Sequence, residues 1–150
     1  MQLTSPEFSD GAEMPWSMSA VNENRLPPLE IRDVPTDACS LAVILEDLDS
    51  PVGPLTHWLV WNLPPTTRRM DALSANSEGR IGMSAFGKIG YLGPKPPEGR
   101  HRYRFTLIAL DIELDLPEGA TRRQFDAAVG DHVLATARLE GSIERTGPRG

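Results

Sequence analysis

Two short apolar runs constrain this chain most: Leu41-Ala42-Val43-Ile44-Leu45, and the run from His57 to Leu63. Each is too short for an independent helix and is bounded by turn residues, so both are expected to be strands buried on both faces. Pro64-Pro65 closes the second, because proline supplies no donor to a sheet ladder. Between them lies Asp47-Leu48-Asp49-Ser50-Pro51-Val52-Gly53-Pro54-Leu55-Thr56, which places two acids one residue apart and turns through two prolines and a glycine. It then delivers a histidine into the second run.

The rest of the chain follows the same short-strand grammar. Tyr103, Phe105, Leu107 and Ala109 alternate with their neighbours and predict a strand with one apolar face. Val133, Ala135, Ala137, Leu139, Gly141 and Ile143 predict a closing strand, with a helical start near His132 left open by the alanines. Thr121-Arg122-Arg123-Gln124 matches a helix capping box, Phe125, Ala128 and Val129 give that helix one apolar side, and Gly130 can end it. Residues 1–38 show no sustained period and read as irregular edge strands and loops, with Pro27-Pro28 fixing an extended path. Residues 66–90 read as a long surface loop carrying at most one short strand. The expected fold is mainly β: one domain over residues 1–150, an antiparallel β-sandwich of two sheets with one or two short helices.

Composition narrows the function classes. The chain has 14 Pro and 13 Gly, which suits many turns, and its 150 residues suffice for one core. No apolar run reaches the roughly 20 residues of a membrane span, and Glu7 and Asp10 stand where a secretory signal would be basic and then apolar. A single cysteine, Cys39, forbids an internal disulfide and suits a reducing, cytoplasmic location. The net charge of −6 argues against generic nucleic-acid binding. That charge is uneven: residues 1–50 hold ten acids against two bases, whereas Arg68 to Arg104 hold eight bases against three acids. Such a basic stretch is either a solvated surface or a weakly positive rim that attracts a small anion.

Asp47, Asp49, His57 and His101 are the candidate chemistry. One of the acids can hold an imidazole in a single tautomer and favour its charged form. A protonated histidine would offer two donors to a phosphate or carboxylate, and binding would weaken as pH rises through the histidine pKa. Tyr103, two residues after His101, would face the same side and donate its hydroxyl. Pro51, Pro54, Pro94, Pro96 and Pro97 would stiffen the rim. Structural readings stand beside these: Asp47 and Asp49 as turn caps, His57 as a hydrogen-bonded core histidine, Trp58 and Trp61 as core or pocket wall, and His132 as structural. The spacing of a dedicated zinc site is missing, as are a nucleophile elbow, a phosphate-cradling loop and a dinucleotide fingerprint. No cofactor and no metal are expected.

Asp47-Leu48-Asp49-Ser50-Pro51 resembles the Asp-Pro-Asp-Ala-Pro segment of the phosphatidylethanolamine-binding protein family. Thr56 to Pro64 resembles the histidine strand that follows it, and Phe86 to Tyr103 resembles a second signature ending Gly-x-His-Arg-Tyr. Leu3-Thr4-Ser5-Pro6-Glu7-Phe8 and Pro27-Pro28-Leu29 fit too, most closely in the bacterial and archaeal branch often labelled Raf kinase inhibitor-like. The resemblance implies a pocket for phosphate-like anions, including phospholipid head groups, walled by Asp47, His57, Lys95, Pro96, His101 and Tyr103, with Asp49, Pro51 and Trp58 in support. It also implies a cis Ser50–Pro51 bond and a homodimer. Leu48 and Ser50 depart from the motif and are expected to loosen the turn; Ser84-Ala85 departs before Phe86 and is expected to cost a rim hydrogen bond. Residues 11–26 match poorly. The leading expectation is a non-enzymatic binder of a small anionic or phosphorylated ligand. Alternatives are a module that inhibits or scaffolds a kinase or protease, and a small hydrolase using Asp47 and His57 as an acid–base pair.

Overall fold

A computed structural model describes residues 1–71, 78–96 and 99–145. In chain order the strands are β1 (Gln2–Thr4), β2 (Leu29–Arg32), β3 (Ser40–Asp47), β4 (Leu55–Leu63), β5 (Arg69–Met70), β6 (Arg80–Ile81), β7 (Gly99–Leu110) and β8 (Val133–Arg145), with helix α1 (Arg122–Val129) before β8. A 3-10 turn covers Trp16–Met18. All strand pairs are antiparallel. They form a three-stranded sheet in the order β1-β2-β5 and a five-stranded sheet in the order β6-β4-β3-β7-β8. This is the expected mainly β fold of two antiparallel sheets. No helix among the described residues is long and apolar enough to cross a membrane.

The reason β3 and β4 read as continuous apolar runs is that the large sheet is covered on both faces. One face carries Leu41, Val43, Leu45, Trp58, Phe105 and Leu107 against Leu3, Leu29, Ile31 and Met70 of the small sheet. The other carries Ala42, Ile44, Leu59, Trp61 and Ile108 beneath Phe125 and Val129 of α1. The capping box forms as expected: Thr121 Oγ1 accepts from the Gln124 amide at 3.2 Å, and Gln124 Oε1 accepts from the Thr121 amide at 2.9 Å. Gly130 caps the other end. His132 lies between α1 and β8, its amide donating to the Val129 carbonyl at 2.9 Å, so β8 has no helical start. In the 66–90 segment, two short strands, β5 and β6, form where at most one was expected; residues 72–77 lie outside the described residues.

The connection from β3 to β4 is tied firmly back onto β7. Asp49 accepts from the Arg102 backbone amide at 2.7 Å and pairs with its guanidinium at 2.9 and 3.0 Å. The Leu48 amide donates to the Arg102 carbonyl at 2.9 Å, a bond that proline at this position could not make. The Leu48 departure therefore adds a ladder bond where a looser turn was expected. Ser50 also anchors the turn, its carbonyl accepting the Gly53 amide at 3.0 Å and its hydroxyl the Val52 amide at 3.4 Å. No cis peptide bond occurs among the described residues, so Ser50–Pro51 is trans, contrary to expectation. The turn is made by Ser50 together with Gly53, whose φ of +98° glycine tolerates readily.

Residues 16–25 pack beneath the 91–93 segment. Asn24, itself at φ +52°, accepts the Gly93 amide with Oδ1 at 2.7 Å and donates Nδ2 to the Tyr91 carbonyl at 3.1 Å. A Cβ on Gly93 would collide with the Met18 carbonyl oxygen. Gly93→Ala is therefore expected to cost about 1–3 kcal/mol of stability through overpacking, read as a lower midpoint in denaturant at unchanged slope. The paired Arg102 side chain and amide hold the Asp49 carboxyl down at about 2. Its ordinary value is about 3.9, so its contribution to stability is complete above that value and lost as pH falls toward about 2. Asp49→Asn should lower the melting temperature slightly at neutral pH, and the deficit should vanish as the acid limb is descended.

Candidate functional site

Antiparallel pairing of β3 with β7 sets the site. Asp47 lies opposite Tyr103 in the register, which places the acid at the end of β3 beside the side chain two residues earlier, His101. Asp47 Oδ2 is 2.8 Å from His101 Nδ1, and both groups are buried. Its other oxygen accepts the Asp49 amide at 2.8 Å, so the turn-capping reading and the histidine-holding reading are both realised in one carboxylate. Asp49 holds no imidazole; it serves Arg102.

His57 reaches the same place by a different device. Leu45 pairs with Trp58 and Glu46 with Thr56, so His57 is the extra residue of a β-bulge. A bulge re-aims the side chain it carries. The His57 ring turns to the inter-sheet side, where its centroid is 5.4 Å from that of Tyr103 and 5.0 Å from that of Phe86, edge-on to both. Its Nδ1 lies 2.9 Å from the Gly93 carbonyl and 3.2 Å from that of Leu92. Carbonyl oxygens only accept, so Nδ1 carries the hydrogen. Burial pushes the His57 imidazolium below the ordinary histidine range, opposed in part by the Gly93 carbonyl and the Asp47 charge. Each imidazole spends Nδ1 inside the protein, so neither offers the ligand the two donors expected from the sequence.

Tyr103 is fully buried; its hydroxyl accepts the Lys95 amide at 3.1 Å. Burial, with the Asp47 carboxylate beside it, pushes the phenol well above its ordinary range, so it remains a neutral phenol. A cleft of about 470 Å³ opens above these groups, lined by Asp47, Ser50, Pro51, Leu55, His57, Phe86, Lys95, His101 and Arg145. Tyr103 thus supports the cleft from beneath. Pro96 is buried and Trp58 packs in the core against Tyr91, so neither lines it. Pro97 lies outside the described residues. His132 is elsewhere, paired with Asp111 at 2.8 Å.

The sequence did not point to Phe86 or Arg145 as lining residues. Phe86 stands in the second signature, and an aromatic residue among small and polar neighbours was a usable signal; its ring is half-exposed. Ser84 builds that turn, its hydroxyl accepting the amides of Phe86 and Lys88 at 3.2 Å each. Arg145 comes from the end of β8, opposite Gly99, and only the strand register brings it to the cleft. Among the described residues no group of three or more His, Cys, Asp or Glu is placed to hold a metal ion.

Comparison with known proteins agrees with this fold. The chain is 41% identical over 150 residues to a UPF0098 protein of Chlamydia muridarum, covering 97% of this chain and 99% of that one. It is 38% identical over 151 residues to a UPF0098 protein of Methanothermobacter thermautotrophicus, again covering 97% and 99%. Its fold matches the crystal structure of a phosphatidylethanolamine-binding protein homologue from Chlamydia trachomatis with a TM-score of 0.88 and 38% identity, covering 97% of each chain. It matches YbcL of E. coli, described as a member of the mammalian family, with a TM-score of 0.88 and 25% identity over 97% of this chain and 98% of that one. The model of the family described as "Phosphatidylethanolamine-binding protein" matches residues 4–144, and the chain belongs to that family.

Proposed function

We propose that the protein binds a small anionic or phosphorylated ligand, such as phosphate or a phospholipid head group, without chemically transforming it. The observation that carries this reading is the convergence of His57, His101, Lys95 and Arg145 on one cleft where Asp47, the one carboxylate among the described lining residues, has both oxygens engaged by protein donors. A volume near 470 Å³ falls in the usual range for small-ligand sites. Lys95 and Arg145 supply charge at the mouth, and the imidazole Nε2 atoms supply directional contacts deeper in. Asp47 is hydrogen-bonded to His101 and not to His57, the histidine that the hydrolase reading paired with it. A cytoplasmic location and a homodimer belong to the same proposal. Sedimentation velocity would report the dimer as a species of twice the 16.4 kDa chain mass.

The test is a titration with inorganic phosphate and with phosphoethanolamine, followed through the histidine ring signals by NMR. His57 and His101 should shift together and saturably while His132 stays still. No shift at either pocket histidine would remove the basis of the reading. His101→Ala should weaken binding by about ten- to a hundredfold, the loss of one contact to a charged group worth about 1.5–3 kcal/mol. Lys95→Ala should weaken it less and flatten its dependence on salt.

A further inference from the structure

The Nδ1 hydrogen of His57 is held by more than one contact. The Leu92 and Gly93 carbonyls that accept it are themselves fixed, because Asn24 brackets Tyr91 and Gly93 and Gly93 sits against the Met18 carbonyl. Turning the ring over would put Cδ2–H before these carbonyls, and the other tautomer of the unturned ring would face them with a lone pair. Its Nε2 has no protein partner among the described residues and is directed to the cleft that His57 lines. In a neutral ring that atom is a lone pair.

Among the described residues, none supplies a carboxylate to either nitrogen of the ring. From β3 the nearby group is Asp47, committed to His101 and to the Asp49 amide; from β7 come His101 itself and the neutral Tyr103 hydroxyl. Lys95 adds a positive charge from the 91–96 segment, and Arg145 adds another at the mouth. Burial together with Lys95 disfavours a second positive charge on the ring, which agrees with the hydrogen-bond geometry.

We propose that His57 Nε2 is a hydrogen-bond acceptor that selects an oxyanion bearing its own proton over one bearing none. Hydrogen phosphate, or the singly protonated form of a phosphomonoester, presents a P–OH to the ring; sulfate presents only acceptors. A pocket built from donors alone would treat phosphate and sulfate alike, since their size and charge are close. Here a sulfate oxygen would meet the Nε2 lone pair, a contact that becomes favourable only when the ring takes up a proton. Sulfate binding is therefore coupled to uptake of one proton at His57. Hydrogen phosphate brings that proton with it. This inference rests on the anion-binding reading of the cleft and adds its selectivity.

Calorimetric titration of the protein with inorganic phosphate and with sulfate, in buffers of differing ionisation enthalpy at about pH 6, 7 and 8, tests it. Sulfate affinity should fall about tenfold per pH unit across the upper interval, with close to one proton taken up per ion. Phosphate affinity should change by less than about threefold over the same interval, because its P–OH persists. In His57→Gln the amide can turn its NH₂ toward the cleft, and the pH dependence of sulfate binding should disappear. The ¹⁵N signals of the His57 ring in the unmodified protein give the same answer without a variant: Nε2 unprotonated with phosphate bound, protonated with sulfate. Equal pH dependence of the two anions, or an Nε2 in the same state with both, would overturn the proposal. Failure of both anions to bind at all three pH values would overturn the anion-binding reading itself and this inference with it.

Discussion

The Asp47 carboxylate is the interaction on which the site depends. It is 4% exposed, and a charge so placed persists only when its oxygens are satisfied. One oxygen takes the His101 ring and the other takes the Asp49 amide, so a single buried group couples the end of β3, the turn that follows it and the start of β7. The Asp49–Arg102 pair and the Leu48–Arg102 backbone bond repeat the same connection at the surface. Turn and strand consequently hold one relative position, and the cleft they enclose is shaped before any ligand arrives.

The second histidine is held by an independent arrangement. A bulge in β4 rotates His57 out of simple alternation, and the Leu92 and Gly93 carbonyls take its Nδ1. Those carbonyls are kept in place by Asn24, from the stretch of the chain that matches the family motifs least well. Ser84 similarly braces the turn that carries Phe86, within the Ser84-Ala85 pair that was expected to cost a rim hydrogen bond. The departures from the family pattern at 48 and 84 thus supply contacts of their own.

Much of this was legible in the sequence, for physical reasons that can be named. Strands β3, β4 and β7 were visible because burial on one or both faces leaves periodic or continuous apolar residues, and α1 was visible because its capping box is a local pattern. Asp47, His57 and His101 could be grouped because two turn-bounded strands delivered them. What could not be read is whatever depends on register. A one-residue bulge decides which way His57 points, the acid's preference for His101 over His57 follows from β3–β7 pairing, and Arg145 reaches the cleft only through β8. The expected cis bond at Ser50–Pro51 is not formed; the peptide is trans.

The central claim is that two imidazoles from separate strands face one anion. A crystal structure of the protein grown with phosphate tests it most directly. The account predicts a phosphate within hydrogen-bond distance of both His57 Nε2 and His101 Nε2, with Lys95 and Arg145 turned toward it. A phosphate bound elsewhere on the surface while this cleft holds only solvent would contradict the account.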